Sequence, residues 1–231
     1  MILTLLGIVA QGTAAILLAD FAAGLIHWIE DAYFTEDTPV LGRLLIRPNI
    51  IHHHYPRFFT RYTWFQSSWD LLILGAVVIA GTWAFNVLSW QVWLFVAVSI
   101  NANEIHKWSH RTRKENGPVI SKLQDWHILQ TPHQHALHHT DPKNTYYCPV
   151  TNLLNPILEK IRFWAGLEWV IWRITGIRHR EDTSVRGQGP GPAWLSSYRP
   201  ATKPVHTCSP NCIHRASCPH RAGAPAELAL R

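Results

Sequence analysis

The stretch Leu123–Tyr147, LQDWHILQTPHQHALHHTDPKNTYY, carries His127, His133, His135, His138 and His139. The last three fall at i, i+3 and i+4, so on a helix they share one face. Upstream lie three further groups: His27 with Asp31, then His52-His53-His54, then His106 with His110. Apolar segments separate them. Imidazole is the commonest side-chain metal ligand, and such repetition does not suit scattered surface histidines without a shared role. The pattern predicts one polyhistidine metal site at a membrane surface.

Composition agrees. The chain has 231 residues, 47% apolar and only 16% charged, with 12 tryptophans and 15 histidines. Few charges and many tryptophans point to a membrane–water boundary. The mean hydropathy of −0.03 implies part bilayer and part polar cap. Most of the +6 net charge sits after Asp182, where six basic residues face Glu227 alone. The body is therefore nearly neutral and gives no case for nucleic acid. Of the cysteines, Cys148 stands alone while Cys208, Cys212 and Cys218 crowd the tail, which is not a secreted disulfide pattern.

In chain order, Ile2–Ile26 is apolar enough to span a bilayer and lacks the basic start and cleavage site of a removable signal. Asp20, Gly24, His27 and Asp31 form a polar stripe along it. His27 is a candidate ligand, and Asp31 a ligand or an acceptor behind one. Asp20 either supports the ligands or bonds a neighbouring helix. Thr35–Trp64 reads as a polar loop, cytoplasmic by its four arginines. Adjacent helical residues point about 100° apart, so His52 and His53 would reach two different metals. Trp69–Ser89 and Trp90–Ile105 read as a helical hairpin turning near Asn86–Ser89. Its second arm should continue straight out of the membrane and carry His106 and His110. All the histidine groups then fall on one side.

Thr151–Ile177 is amphipathic, read as one or two interfacial helices, with a helix packed on the cap as the alternative. Asp182–Arg231 is rich in Pro, Gly, Ser and Arg and is expected to be disordered. Cys208, Cys212, Cys218 and His220 have an imperfect zinc-knuckle spacing. The expected fold is an all-α membrane protein of about three transmembrane helices, with a cytoplasmic polyhistidine cap and interfacial amphipathic helices.

Two metals of five- or six-fold coordination need about eight to ten ligands and an open position for oxygen. His27, His52, His53, His106, His110, His135, His138 and His139 supply most, and His127 or Asp31 could complete the set. Two Fe(II) ions so held, reacting with O2, would remove hydrogen from an unactivated C–H bond of a lipid. A zinc hydrolase needs only three ligands and a base. A metal transporter would put ligands in mid-membrane, where the hairpin has none. A non-catalytic membrane metal-binding protein is the reading from another class.

The stretches ADFAAGLIHWIED (19–31), RPNIIHHHYP (47–56), NEIHKWSH (103–110), LQDWHILQTPHQHALHHTDPKNTYYC (123–148) and LLNPILEKIRFW (153–164) carry a resemblance. Together they resemble the lipid desaturase domain, also called Kua, of plasmanylethanolamine desaturases and bacterial light-response homologues. A plastid acyl-lipid desaturase is a more distant member. The resemblance runs from about residue 10 to 182, making 1–182 the domain and 183–231 a tail. It implies a di-iron enzyme forming the vinyl-ether double bond of plasmalogens from plasmanyl ethanolamine phospholipids. O2 is the co-substrate, and an electron carrier such as cytochrome b5 or a ferredoxin is the partner. An acyl-lipid desaturase or hydroxylase with the same ligands is the rival. The resemblance places the family's histidines on the eight named above, with His127 in the LQDWH block, and leaves His54 and His133 as spectators. Two features depart from it. Larger members carry a further N-terminal span that would reverse the first helix, and the Cys-rich tail matches nothing in the family.

Overall fold

Ile2–Ala32 forms one helix, α1, of 31 residues, about 46 Å long at 1.5 Å per residue. It has no proline, and its buried positions Asp20, Gly24, His27, Trp28 and Asp31 recur at helical spacing near one end. The other half exposes Leu3, Leu5, Ile8 and Val9. The computed structural model describes residues 1–140 and 142–180, and within these all regular structure is helical apart from one β-bridge between Leu129 and Thr151. The readings of the tail and its zinc knuckle fall outside the described residues.

Thr63 and Gln66 form a capping box that starts α4 (Trp64–Ala84). α1 and α4 are the two helices among the described residues long and apolar enough to cross a membrane. α5 (Trp90–Ile100) returns alongside α4 and is shorter. Gly75 permits the approach, since a Cβ there would sit 3.0 Å from Val96 and Ile100. The second arm does not run straight into the histidines. It breaks at Asn101 (φ −99°, ψ 0°), and α6 (Ala102–His110) is a separate helix. The Asn101 side chain donates to the Ala97 carbonyl and accepts from Trp64 Nε1, competing with the helical ladder.

The expected loop Thr35–Trp64 is largely helical. A π-helical turn, Gly42–Ile46, runs into α2 (Arg47–His54), and a single turn, α3 (Pro56–Phe59), follows. Ile46, Ile50 and Ile51 are buried, and this apolar anchorage outweighs the polar composition of the stretch. Tyr55, turned out of the helical region (φ −133°, ψ 70°) before Pro56, ends α2. α7 (Arg113–Asp125) bends at Gly117 and α8 spans Pro132–His138. The amphipathic stretch is two helices, α9 (Leu154–Lys160) and α10 (Phe163–Thr175), divided at Arg162 in the left-handed region. Trp164 packs against Trp28 and Tyr147, while Trp169, Val170 and Ile174 on α10 stay exposed. One face is core, as in the packed alternative, and the other is open and apolar.

The stripe on α1 lies against the extended segment 147–151. Asp20, fully buried, accepts from the backbone N–H groups of Val150 (2.8 Å) and Thr151 (2.9 Å) and from the Thr151 hydroxyl. It is therefore an anchor for backbone, rather than a partner of another helix or of a ligand. One turn on, a Cβ at Gly24 would lie 2.6 Å from Cys148 Sγ and 3.2 Å from its Cα. Asp20→Ala strands three buried donors and should cost about 3 kcal/mol or more. Gly24→Ala should cost about 1–3 kcal/mol by overpacking. Thermal unfolding of the purified variants in detergent, with a clear loss for both, checks the arrangement.

Candidate metal centre

Helical periodicity delivers the histidines as two adjoining groups. His52 from α2, His106 and His110 from α6, and His135 and His139 from α8 and its C-terminal cap form the first. His27 and Asp31 from α1, His53 from α2 and His138 from α8 form the second. Within each group the candidate ligand atoms lie within 4.8 Å of one another. The neighbours His52 and His53 divide between the groups with rings at 80°, and α8 likewise sends His138 one way and His135 and His139 the other. The groups touch: the rings of His27 and His106 lie 5.6 Å apart, and those of His53 and His139 5.3 Å apart.

The nitrogens converge. His106 Nε2 and His135 Nε2 are 2.8 Å apart, His135 and His139 Nε2 3.0 Å, His52 and His139 Nε2 3.1 Å, and His53 and His138 Nε2 3.4 Å. Two imidazole nitrogens bound at right angles to one ion, each at about 2.1 Å, lie about 3 Å apart. Tautomers support the same reading. Nδ1 of His27 donates to the Tyr147 carbonyl at 3.1 Å and Nδ1 of His138 to the Thr145 carbonyl at 2.8 Å. A carbonyl only accepts, so each Nδ1 carries the proton and each Nε2 lone pair faces inward. The Asp31 carboxylate faces Nε2 of His27 and His138 with Oδ2 at 3.6 Å and Nε2 of His53 with Oδ1 at 3.4 Å, and Asn49 Nδ2 donates to Oδ1. Nε2 of His27 and His110 and Oδ2 of Asp31 are buried without a hydrogen-bond partner. Orphaned buried polar atoms need a ligand, and this donor set fits two metal ions.

His127 is not brought to either group. It is exposed, has a positive φ of 56°, and its Nδ1 pairs with the Asn152 side chain at 3.0 Å. The helical phase that serves His135 is lost between α7 and α8, which turns His127 outward. His54 and His133 also lie outside both groups. Sequence reasoning missed the amides that seat the cluster. Gln130 Nε2 donates to the Cys148 carbonyl, Gln134 Nε2 to the Asn152 carbonyl, and Asn155 holds both N–H and C=O of Cys148. Their signal was present, since Gln130 and Gln134 sit four apart among the histidines. Asn49 was equally visible, one turn before His52 and His53.

Residues 16–182 match the lipid desaturase domain. The chain belongs to that family. It is 34% identical to plasmanylethanolamine desaturase 1 of Mus musculus, over 78% of this chain and 69% of the mouse protein. It is also 34% identical to a probable fatty acid desaturase of Acanthamoeba polyphaga mimivirus, over 78% of this chain and 90% of that protein. A plasmanylethanolamine desaturase of Myxococcus xanthus is 33% identical over 72% of this chain and 61% of its own length. No solved structure matches. The chain is thus an enzyme of the lipid desaturase type, and its two histidine-rich groups lie within the matched residues.

Burial holds the cap imidazoles of this desaturase neutral. It pushes His52, His106, His135, His138 and His139 well below the ordinary value, with help from neighbouring imidazoles. Burial, then His53 and Arg57, pushes His110 down to about 3. In the unfolded chain these groups protonate near the usual value of about 6.5. Above that pH neither state binds protons. Below it only the unfolded state does, so folding free energy is lost as pH falls toward 3. The chelator-stripped protein should show a melting temperature that drops by several degrees from pH 7 to pH 4.5. Differential scanning fluorimetry across that range checks it, and a flat profile would contradict the neutral burial.

Proposed function

We propose that the chain is a membrane di-iron desaturase that forms the vinyl-ether double bond of plasmalogens from plasmanyl ethanolamine phospholipids. The observation that carries it is the pair of adjoining histidine groups opening on one cavity of about 230 Å³ lined by His27, His52 and His106 together with Leu44, Leu45 and Leu71. Relatives named plasmanylethanolamine desaturases supply the substrate class. Bound iron would supply O2-dependent oxidation of an unactivated C–H bond. His52, His106, His110, His135 and His139 would hold one ion, and His27, Asp31, His53 and His138 the other. The carbonyls of Tyr147 and Thr145 keep two of these imidazoles in the ligating tautomer. Hydrogens leave C1 and C2 of the sn-1 alkyl chain. With two electrons and two protons, O2 leaves as two waters. The electrons come from a carrier such as cytochrome b5 or a ferredoxin.

α1 and α4 are taken as the spans of a multi-pass protein, with the shorter α5 returning alongside α4 and the histidine cap on the cytoplasmic side beside Arg43, Arg47, Arg57 and Arg61. The exposed faces of α9 and α10 would rest on the headgroups. A lipid chain then reaches the cavity from the bilayer without crossing water. The names of the mimivirus protein and of the chloroplastic fatty acid desaturase 4 of Arabidopsis thaliana, 33% identical over 73% of this chain and 53% of its own length, favour an acyl-lipid desaturase as the second reading.

The test is expression in cells fed an alkyl-glycerol and lacking their own vinyl-ether synthesis, with acid-labile vinyl-ether lipids measured by mass spectrometry. Product should form with the parent and disappear with His106→Ala and with His138→Ala. Iron in the purified protein should be about two per chain and fall in both variants. A new double bond in an acyl chain instead would support the second reading. Bound metal with no lipid product, an electron donor being present, would return the chain to a metal-binding role.

A further inference from the structure

The cavity beside the histidines ends on an apolar wall. Ala23, Leu71 and Ala102 line it there, and they are the face of a cluster in which Leu71, Ala102 and Val150 pack with Val98 and Ile105. Ala23 stands four residues before His27 on α1, and Ala102 four residues before His106 on α6. On both helices an alanine therefore shares the face of a candidate ligand, one turn and about 6 Å back along the axis. The break at Asn101 makes Ala102 the first residue of α6. Ala102 is only 2% exposed and lines the cavity, so its methyl group meets enclosed space and not solvent. At about 230 Å³ the cavity is smaller than the roughly 300–1,000 Å³ of pockets that enclose drug-sized ligands. It takes only part of a long hydrocarbon chain, and that part lies beside the histidines.

We propose that Ala23 and Ala102 floor a chain slot next to the histidines and restrict the lipid there to an unbranched chain. The inference rests on oxidation of a lipid chain at the histidine groups and adds which chains fit. Two methyl groups leave a straight run of methylenes room to lie against the ligands. A methyl branch near the reacting carbons would press on one alanine or the other. Behind the alanines the wall is a packed cluster, which does not yield without strain. A leucine at either position would put an isobutyl group into the slot, one turn from His27 or from His106. A glycine at 102 would instead deepen it by one methyl group.

The probe is a 1-O-alkyl phospholipid with a photoreactive diazirine at C3 of its alkyl chain. It is added to the purified iron-loaded full chain in detergent, with no reductant, so that nothing turns over. Mass spectrometry locates the adducts after illumination. They should fall around Ala23 or Ala102. An unlabelled straight-chain lipid should suppress them about tenfold better than one with a methyl branch at C3, the low end of what one misplaced carbon costs in a closed apolar pocket. Ala23→Leu and Ala102→Leu should each cut labelling severalfold. Ala80→Leu, at an exposed position on α4, should label like the parent. Ala102→Gly should let the branched competitor approach the straight one. Iron content and melting temperature equal to the parent's qualify a variant, and if one leucine variant does not fold the other decides with the glycine variant. Labelling elsewhere, labelling unchanged in the leucine variants, or equal competition by the two lipids in the parent overturns the proposal. Vinyl-ether product with labelling elsewhere removes the slot alone. Slot labelling together with a new double bond in an acyl chain keeps the slot and removes the ether-lipid reading.

Discussion

A buried carboxylate on the first helix fixes where the rest of the cap can go. Asp20 is shut off from solvent and has no basic partner among the described residues, yet three donors of Val150 and Thr151 converge on it. That clamp sets the position of segment 147–151 along α1. One turn later, only a hydrogen on Gly24 leaves room for Cys148. Two turns later, the Tyr147 carbonyl meets His27 Nδ1 and turns Nε2 toward the histidine cluster. Register, close approach and tautomer thus follow from one stripe, and each step depends on the one before it.

The segment is held from its other side by amides. Gln130, Gln134 and Asn155 are all buried and bond backbone groups of 148–152, while Ser109 and Gln124 tie Gln130 to α6 and α7. A network of neutral donors and acceptors is suited to this place. It satisfies buried backbone without adding charge beside imidazoles that burial keeps neutral. Lys107 is the exception, fully buried and balanced by Glu104 and the carbonyl of Tyr62. It secures α6, and so the spacing of His106 and His110, against the chain entering α4.

The apolar surface has its own division. The first half of α1 and much of α4 expose aliphatic side chains, and Trp169, Val170 and Ile174 do so on α10. In water such surface is unfavourable by about 25 cal/mol per Å², and a hydrocarbon environment removes that cost. The polar cluster gathers at the ends of α1 and α4, the level at which a bilayer would meet water.

The sequence alone determined the apolar helices and offered as candidates the eight histidines that fall in the two groups, because helical periodicity is local. His135, His138 and His139 share a face by spacing, and adjacent His52 and His53 must diverge. Asp31 was also legible, four residues from His27. What spacing did not carry was any contact between distant segments. The helix within Thr35–Trp64 depends on burial of Ile46, Ile50 and Ile51 against other elements. The break at Asn101 depends on Trp64, 37 positions away. His127 was a candidate to complete the ligand set, and the turn between α7 and α8 faces it outward. Asp20 read either as a support for the ligands or as a partner for a neighbouring helix, since nothing near it in the chain announces Val150 and Thr151. Tertiary structure decided these points for a single physical reason. A buried polar group is satisfied by whatever donor or acceptor folding brings to it, and that partner is rarely its neighbour in sequence.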